Sequence, residues 1–437
     1  MKARVWVLVT FLSRSGSDVA PAAITNSTIA IMPKMPNNIS ALSLSISGIG
    51  QSKSFTRLHG LASPSFCHSA GSQRGAYLPL AVDSVLRQTF SALELLVIDD
   101  ASSDGSLSTL ELVAARDPRL RLLKNPGAGL VAALNFGIAQ AQAEFIARMD
   151  ADDIALPERL SRQVEFLEKT PGISVVGTQV AFIDAAGSLT GERTSFPTEP
   201  EEITKALTVR GCVVRHPSVL ARKISLLAVG GYRPACDKAE DYDLWLRLVD
   251  GNRIANLPDV LLHYRVHPLQ ISNGVNLQQR FSRDLALLAL RARRDGAADP
   301  LDDIPKPVSF MQADKDALRA LPNAIELLAA YSALAFFENL DSTPPTVAAL
   351  GAVIHCAQQN LLGDGRKYRA LSLVRCAHLS AKMGHWRLSK KAARLALSFA
   401  PGRASRWLVG LGGLSSYQMT QALWAVEVMK SGRSRAD

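Results

Sequence analysis

Residues 144–153 read Glu-Phe-Ile-Ala-Arg-Met-Asp-Ala-Asp-Asp (EFIARMDADD), an apolar run that ends in three carboxylates within four positions. Phe145, Ile146 and Met149 have the spacing of a short buried strand, and Asp150, Asp152 and Asp153 then crowd negative charge at its C-terminal end. Like charges a few ångströms apart repel by roughly 1 kcal/mol or more even at high effective dielectric, so a hard divalent cation is the simplest compensation. Ala151 adds no bulk and lets Asp150 and Asp152 flank one position at a sheet edge. Two carboxylates leave most of an octahedral shell open to water and phosphate oxygens, which suits Mg2+ or Mn2+ holding a diphosphate. The alternative is an acidic loop ahead of the helix expected near Pro157.

Working outward, strands and helices alternate on both sides of this stretch. YLPLAVDSVLRQTF (77–90) has near-helical apolar spacing, and LELLVIDD (93–100) is a buried strand closing in Asp99 and Asp100. A second helix, a strand at Arg119–Leu123 and a helix over 129–142 lead back to EFIARMDADD. A helix over 157–169, a strand over 174–184, a helix over 199–209, a strand in HPSVLAR, a helix in KAEDYDLWLRLVDG and a last strand in ANLPDVLLHYRVH follow. The alternation predicts an α/β fold, a mostly parallel sheet flanked by helices. Both acidic pairs then fall at strand C-termini, where such sheets bind ligands. Beyond Gln270 the pattern is helical to the end.

Length and charge divide the chain further. At 437 residues it exceeds one typical domain. The formal charge is +10, yet residues 76–363 hold 28 Lys or Arg against 35 acids, so the surplus lies in the two flanks. Residues 1–75 contain fourteen serines and one acid, the composition of a disordered or targeting segment. Three segments are expected: 1–74 a disordered or atypical extension, 75–270 the α/β domain, and 271–437 a helical region. Five cysteines without a C-x-x-C spacing argue against a disulfide framework or zinc site and for a reducing compartment. Val5–Leu12 faintly resembles a leader core but precedes no clean cleavage site, and Trp407–Val426 is too interrupted by polar residues and glycines for a membrane span.

In order, LPLAVDSVLRQTF, LELLVIDDASSDGS, NPGAGLVAALNFGI, FIARMDADDIALPERL and AEDYDLWLRL resemble the inverting glycosyltransferase family 2 with its GT-A fold, over about Gly75–His267. The resemblance implies an enzyme that moves one sugar from a nucleotide diphosphate sugar to a hydroxyl acceptor with inversion, in the synthesis of cell-surface polysaccharide or glycolipid. It implies that Asp99 and Asp100 meet the base and ribose of the donor, with Arg148 and His216 also at the nucleotide sugar. Asp150 and Asp152 would hold Mn2+ or Mg2+, with Asp150 also contacting the donor. Of the pair Glu240 and Asp241, the second would act as general base. A loop-capping role for Asp99 or Asp100, and a helix-dipole role for the acids near 240, remain open. Asp243 is expected to pair with Arg247 at i, i+4.

The implied partners are a nucleotide diphosphate sugar and a saccharide or lipid-linked acceptor, with an anionic membrane surface as a further candidate and no nucleic acid. The implied location is cytoplasmic, with a peripheral position at the inner membrane face as an option. One departure stands out. Where the family carries a hydrophobic strand ending in a Pro-x-Tyr-Asn-like turn, this chain has ASPSFCHSAGSQRGAY (62–77), so the strand LELLVIDD is expected to lack a neighbour. Two alternatives stay open: a catalytically impaired relative that binds sugar nucleotides, and a basic nucleic-acid-binding protein.

Overall fold

A computed structural model describes residues 4–11, 74–102, 105–209, 211–251, 253–267, 277–311, 316–338, 343–362 and 365–404. Nine strands occur among them: β1 (Arg4–Phe11), β2 (Leu93–Asp100), β3 (Leu120–Lys124), β4 (Phe145–Met149), β5 (Ile154–Ala155), β6 (Ile173–Ile183), β7 (Leu189–Arg193), β8 (Leu220–Arg222) and β9 (Arg253–Arg265). They form one sheet in the order β3-β2-β1-β4-β8-β6-β9-β5, with β7 added to β6.

Helices cover both faces, as the alternation requires. On one side α1 (Arg74–Leu86), α2 (Ser106–Ala114) and α4 (Arg159–Lys169) pack on Leu95, Val97, Phe145, Ala147, Met149 and Val176. On the other, α3 (Gly129–Gln140), α5 (Pro200–Val209), the short α6 (Lys223–Ala228) and α7 (Glu240–Gly251) pack on Leu96, Ile146, Val175 and Ala221. Neighbouring residues of one strand thus serve opposite cores, as the two-residue period of a strand dictates. The second core continues without a break into α8 (Leu277–Arg294), α9 (Ala324–Phe337), α10 (Val347–Gln358), α11 (Gly365–Lys382) and α12 (Trp386–Phe399). No helix among the described residues is long and apolar enough to cross a membrane; Trp407–Val426 lies outside them.

Two expectations are corrected here. The sheet is mixed rather than mostly parallel: β2–β3 and β6–β9 are parallel pairs, whereas β1 and β8 run antiparallel to both of their neighbours. Nor does β2 lack a neighbour. Arg4–Phe11 fills the gap between β2 and β4, with Val7 opposite Val97 on one side and Met149 on the other. The run RVWVLVTF is apolar without alternation, unlike the pattern of a strand with one face in water. The expectation of a disordered extension over 1–74 therefore does not hold for Arg4–Phe11, and its remainder over 1–3 and 12–73 lies outside the described residues.

Candidate active site

The DADD stretch leaves β4 in a tight turn, Asp153 N–H donating to the Asp150 carbonyl at 3.3 Å. This turn gathers carboxylate oxygens of Asp150, Asp152 and Asp153 within 4.8 Å of one another. Each acid is held differently. Asp150, half-buried, pairs with Arg148 at 2.6 Å. Asp152 meets His267 Nε2 at 3.0 Å. Asp153 is buried, and its Oδ1 accepts the Arg265 backbone N–H at 2.9 Å while its Oδ2 has no hydrogen-bond partner. Burial raises the pKa of Asp150, with Arg148 opposing and Asp152 and Asp241 adding. Burial, then Asp150 and Asp152, push Asp153 well above the usual carboxylate range. Three hard oxygen donors, mutually repelling and with one buried lone oxygen, fit a divalent cation of the Mg2+ or Mn2+ type.

Support for this turn comes from far along the chain. Arg265, at the end of β9 and almost wholly buried, donates through Nε to the Asp152 carbonyl at 2.8 Å and lies over the Tyr77 ring at 4.3 Å. His267, two residues on, is next to the same ring, with centroids 5.6 Å apart. Beneath β4, the guanidinium of Arg159 donates to the carbonyls of Arg148 and Val219 at 2.8 and 3.2 Å, and its burial lowers its pKa to about 9.

Arg148 links this turn to α7. Burial opposes its charge, but Asp150, Tyr232 and Glu240 around it raise its pKa. Glu240 opens α7 almost fully buried, and that burial, with Asp241 beside it, raises its pKa to about 8. Asp241 is half-buried and also raised by burial, but the Tyr242 N–H donates to its Oδ1 at 2.7 Å, and Arg148 and Arg215 stabilise its charge. The two adjacent acids therefore differ: near neutrality Glu240 holds its proton, while Asp241 is the better-supported anion. Asp243 is the third acid of that turn and does other work. It is buried between Arg247, at 2.8 Å, and Arg233, which keep its pKa low against its burial.

His216 is buried too. Its Nε2 meets the Tyr232 hydroxyl at 2.8 Å, and its ring stands edge-on to Trp245 at 6.0 Å. Burial, then the charge of Arg148, hold it well below the ordinary histidine range, so it is neutral. The loop carrying Tyr232 is clamped by Asn135 of α3, which donates to the Tyr232 carbonyl and accepts its N–H, both at 2.8 Å. Gly231 makes this possible, with φ at +69° and a position where a Cβ would stand 2.6 Å from Asn135 Oδ1.

Asp99 and Asp100 lie at the end of β2, and β1 separates them from β4, with Arg4 opposite Asp100 in the register. Asp99 accepts the Ser102 N–H at 3.0 Å, a loop-capping bond. Asp100 accepts from Asn125 Nδ2 at 2.9 Å and from the Gly129 N–H at the start of α3 at 3.1 Å. The structure thus brings Asp150, Asp152, Arg148, Glu240, Asp241 and His216 into one linked cluster, and holds Asp99 and Asp100 by bonds of their own. Sequence reasoning missed Arg265, His267, Tyr232 and Asn135. A signal existed for the first two: polar residues at alternate positions closing an otherwise apolar strand.

Comparison with known proteins bears on the family of the chain. The family model described as glycosyl transferase family 2 matches residues 72–225. A putative glycosyltransferase of Bacillus subtilis, EpsE, is 35% identical over 190 residues, covering 42% of this chain and 66% of its own length, slightly under two thirds. The O-antigen biosynthesis glycosyltransferase WbnJ of Escherichia coli is 32% identical over 195 residues, 44% of this chain and 75% of that protein. A solved mannosyltransferase from Pyrobaculum calidifontis, in complex with GDP-Man and Mn2+, aligns over 75% of this chain and 83% of its own at 19% identity and a TM-score of 0.37, too loose a likeness to bear on the chemistry. By its sequence relatives, the chain belongs to glycosyltransferase family 2.

Proposed function

We propose that this protein transfers one sugar from a nucleotide diphosphate sugar to a hydroxyl of a saccharide or lipid-linked acceptor, with inversion, in the synthesis of a cell-surface polysaccharide or glycolipid. The observation that carries the proposal is the joining of two acid clusters by one arginine: Arg148 lies between Asp150 and Glu240, and Asp241 is close enough to raise the pKa of Asp150. Asp241 takes the proton of the acceptor hydroxyl as that oxygen bonds to the anomeric carbon. The bond from that carbon to the phosphate oxygen breaks, its electron pair leaves with the diphosphate, and single displacement inverts the centre. Glu240, protonated near neutrality, is suited to donate a hydrogen bond beside the base. Asp150, Asp152 and the lone Oδ2 of Asp153 would hold Mg2+ or Mn2+, which when bound neutralises charge growing on the diphosphate.

For the remaining candidates the proposal is more specific than their contacts. Asp99 and Asp100 take the base and ribose through lone pairs beyond those that accept from Ser102, Asn125 and Gly129, both oxygens of Asp100 already accepting one bond each. His216, neutral and bonded to Tyr232, acts by fixing the loop under Arg148. The segments 75–270 and 271–437 are proposed as the transfer region and an acceptor-side region working at the inner membrane face. Calorimetric titration of nucleotide diphosphate sugars with and without Mn2+ tests the core of this reading. Asp150→Asn and Asp152→Asn should each abolish the Mn2+-dependent part of binding; the melting temperature should hold in Asp152→Asn, where a repelling charge is removed, and fall in Asp150→Asn, which leaves the buried Arg148 guanidinium without its 2.6 Å partner. Parent-like, Mn2+-dependent binding by both variants would overturn it. Donor binding without transfer to any acceptor would instead favour the impaired relative, a reading motivated by the missing Pro-x-Tyr-Asn turn.

A further inference from the structure

Residues 365–404 contain ten Lys or Arg and no Asp or Glu. Helix α12 arranges four of them on one face: Arg387, Lys390, Lys391 and Arg394 follow the i, i+3, i+4, i+7 spacing of a single helical stripe. All four are exposed, and among the described residues no carboxylate pairs with any of them. With Gln358 and Ser398 they line a shallow groove of about 470 Å³. The opposite face buries Ser389, Ala392, Ala396 and Leu397. Like charges three and four positions apart on a helix destabilise it, so this stripe carries a cost that nothing within the described protein offsets. Two large apolar side chains stand exposed at the same end, Met383 at 39% and Trp386 at 41%. Cations with an exposed tryptophan at their margin are the chemistry of a bilayer interface, where the ring sits at head-group level.

The sequence beyond α12 points the same way. Trp407–Val426 is mostly apolar, interrupted by glycines and polar residues, and Arg403 and Arg406 precede it while Glu427 and then Lys430, Arg433 and Arg435 follow. Cations flanking an apolar stretch favour an anionic lipid surface over a dissolved polyanion, which has no use for the apolar part.

We infer that the exposed face of α12, from Trp386 to Arg394, is a docking surface for an anionic lipid bilayer. The surface would hold the protein where a lipid-linked acceptor resides, but the inference rests on α12 and not on the donor chemistry, so its test reads binding alone. The whole chain is mixed with vesicles of phosphatidylcholine, alone or with phosphatidylglycerol, and floated on a density gradient. Binding should need phosphatidylglycerol and weaken as NaCl rises. Arg387→Gln, Lys390→Gln, Lys391→Gln and Arg394→Gln together should weaken it about 100- to 1,000-fold, and the four single variants in graded steps. Trp386→Ala should reduce the binding that survives at high salt. These exposed substitutions leave the melting temperature unchanged or raised. Parent-like flotation of the quadruple variant would overturn the inference, as would absence of vesicle binding by the parent. Tighter binding of the parent to a single-stranded oligonucleotide than to anionic vesicles, lost in the quadruple variant, would also overturn it and assign the face to nucleic acid.

Discussion

Three acids in the first turn of α7 look interchangeable in sequence, yet their surroundings give them different work. Asp243 is enclosed by two guanidiniums, whereas Asp241 keeps an open side and draws on one backbone N–H and the fields of Arg148 and Arg215. Asp241→Asn keeps size and most hydrogen bonds but cannot accept a proton. Transfer should fall about 100- to 10,000-fold with donor affinity nearly unchanged. Asp243→Asn leaves Arg233 and Arg247 without their shared carboxylate, and should cost about 3–5 kcal/mol of stability with any loss of activity following the loss of folded protein. Rates per folded molecule, set beside thermal melts, separate the two; an intact rate in Asp241→Asn would reassign the base. At this scale the sequence was informative where one short stretch carries the chemistry, as in DADD and EDYD. It was silent on Tyr232 and Asn135, which meet across 97 positions and make their contact only once the fold exists.

At the scale of elements, β1 is the instructive case. An apolar run of eight residues can be a leader core, a piece of a helix or a buried strand, and periodicity alone cannot separate these. The sheet decides, because the polar edges of β2 and β4 facing each other need a partner between them, and RVWVLVTF is apolar enough to lie there. Direction was the second thing hidden. A strand adjacent in sequence to α1 would reach the sheet by a short crossover and run parallel, whereas one separated by some sixty residues is free to enter from the other end, as β1 does. A central strand cannot spare an amide on either edge, so Leu8→Pro should destabilise the protein by about 2–3 kcal/mol and expose the β4 amides to exchange. Unchanged melting and unchanged protection of Ile146–Met149 would show that β1 is not where the register puts it.

At the scale of the molecule, the turn to helical patterning suggested a boundary at 270, but the packing does not respect it. Leu244, Trp245 and Leu248 of α7 share one apolar cluster with Phe281, Leu285 and Leu288 of α8 and with helices as far as α12. Charge crosses as well: Arg233 pairs with Asp299 and with Asp302, both at 2.8 Å, while also holding Asp243 beside the proposed base. Removing everything after residue 270 would strip Phe281, Leu285 and Leu288 from α7, worth about 1.5–3 kcal/mol each, and leave Arg233 short of an anion. A loss of about 5–9 kcal/mol approaches the whole stability of an ordinary domain. The shortened chain should therefore be insoluble or loosely packed, lacking near-ultraviolet dichroism and a cooperative melt, even though every residue proposed for chemistry is still present. A sharp melt with donor affinity equal to that of the whole protein would mean that the transfer region folds by itself and that α8–α12 only adjoin it.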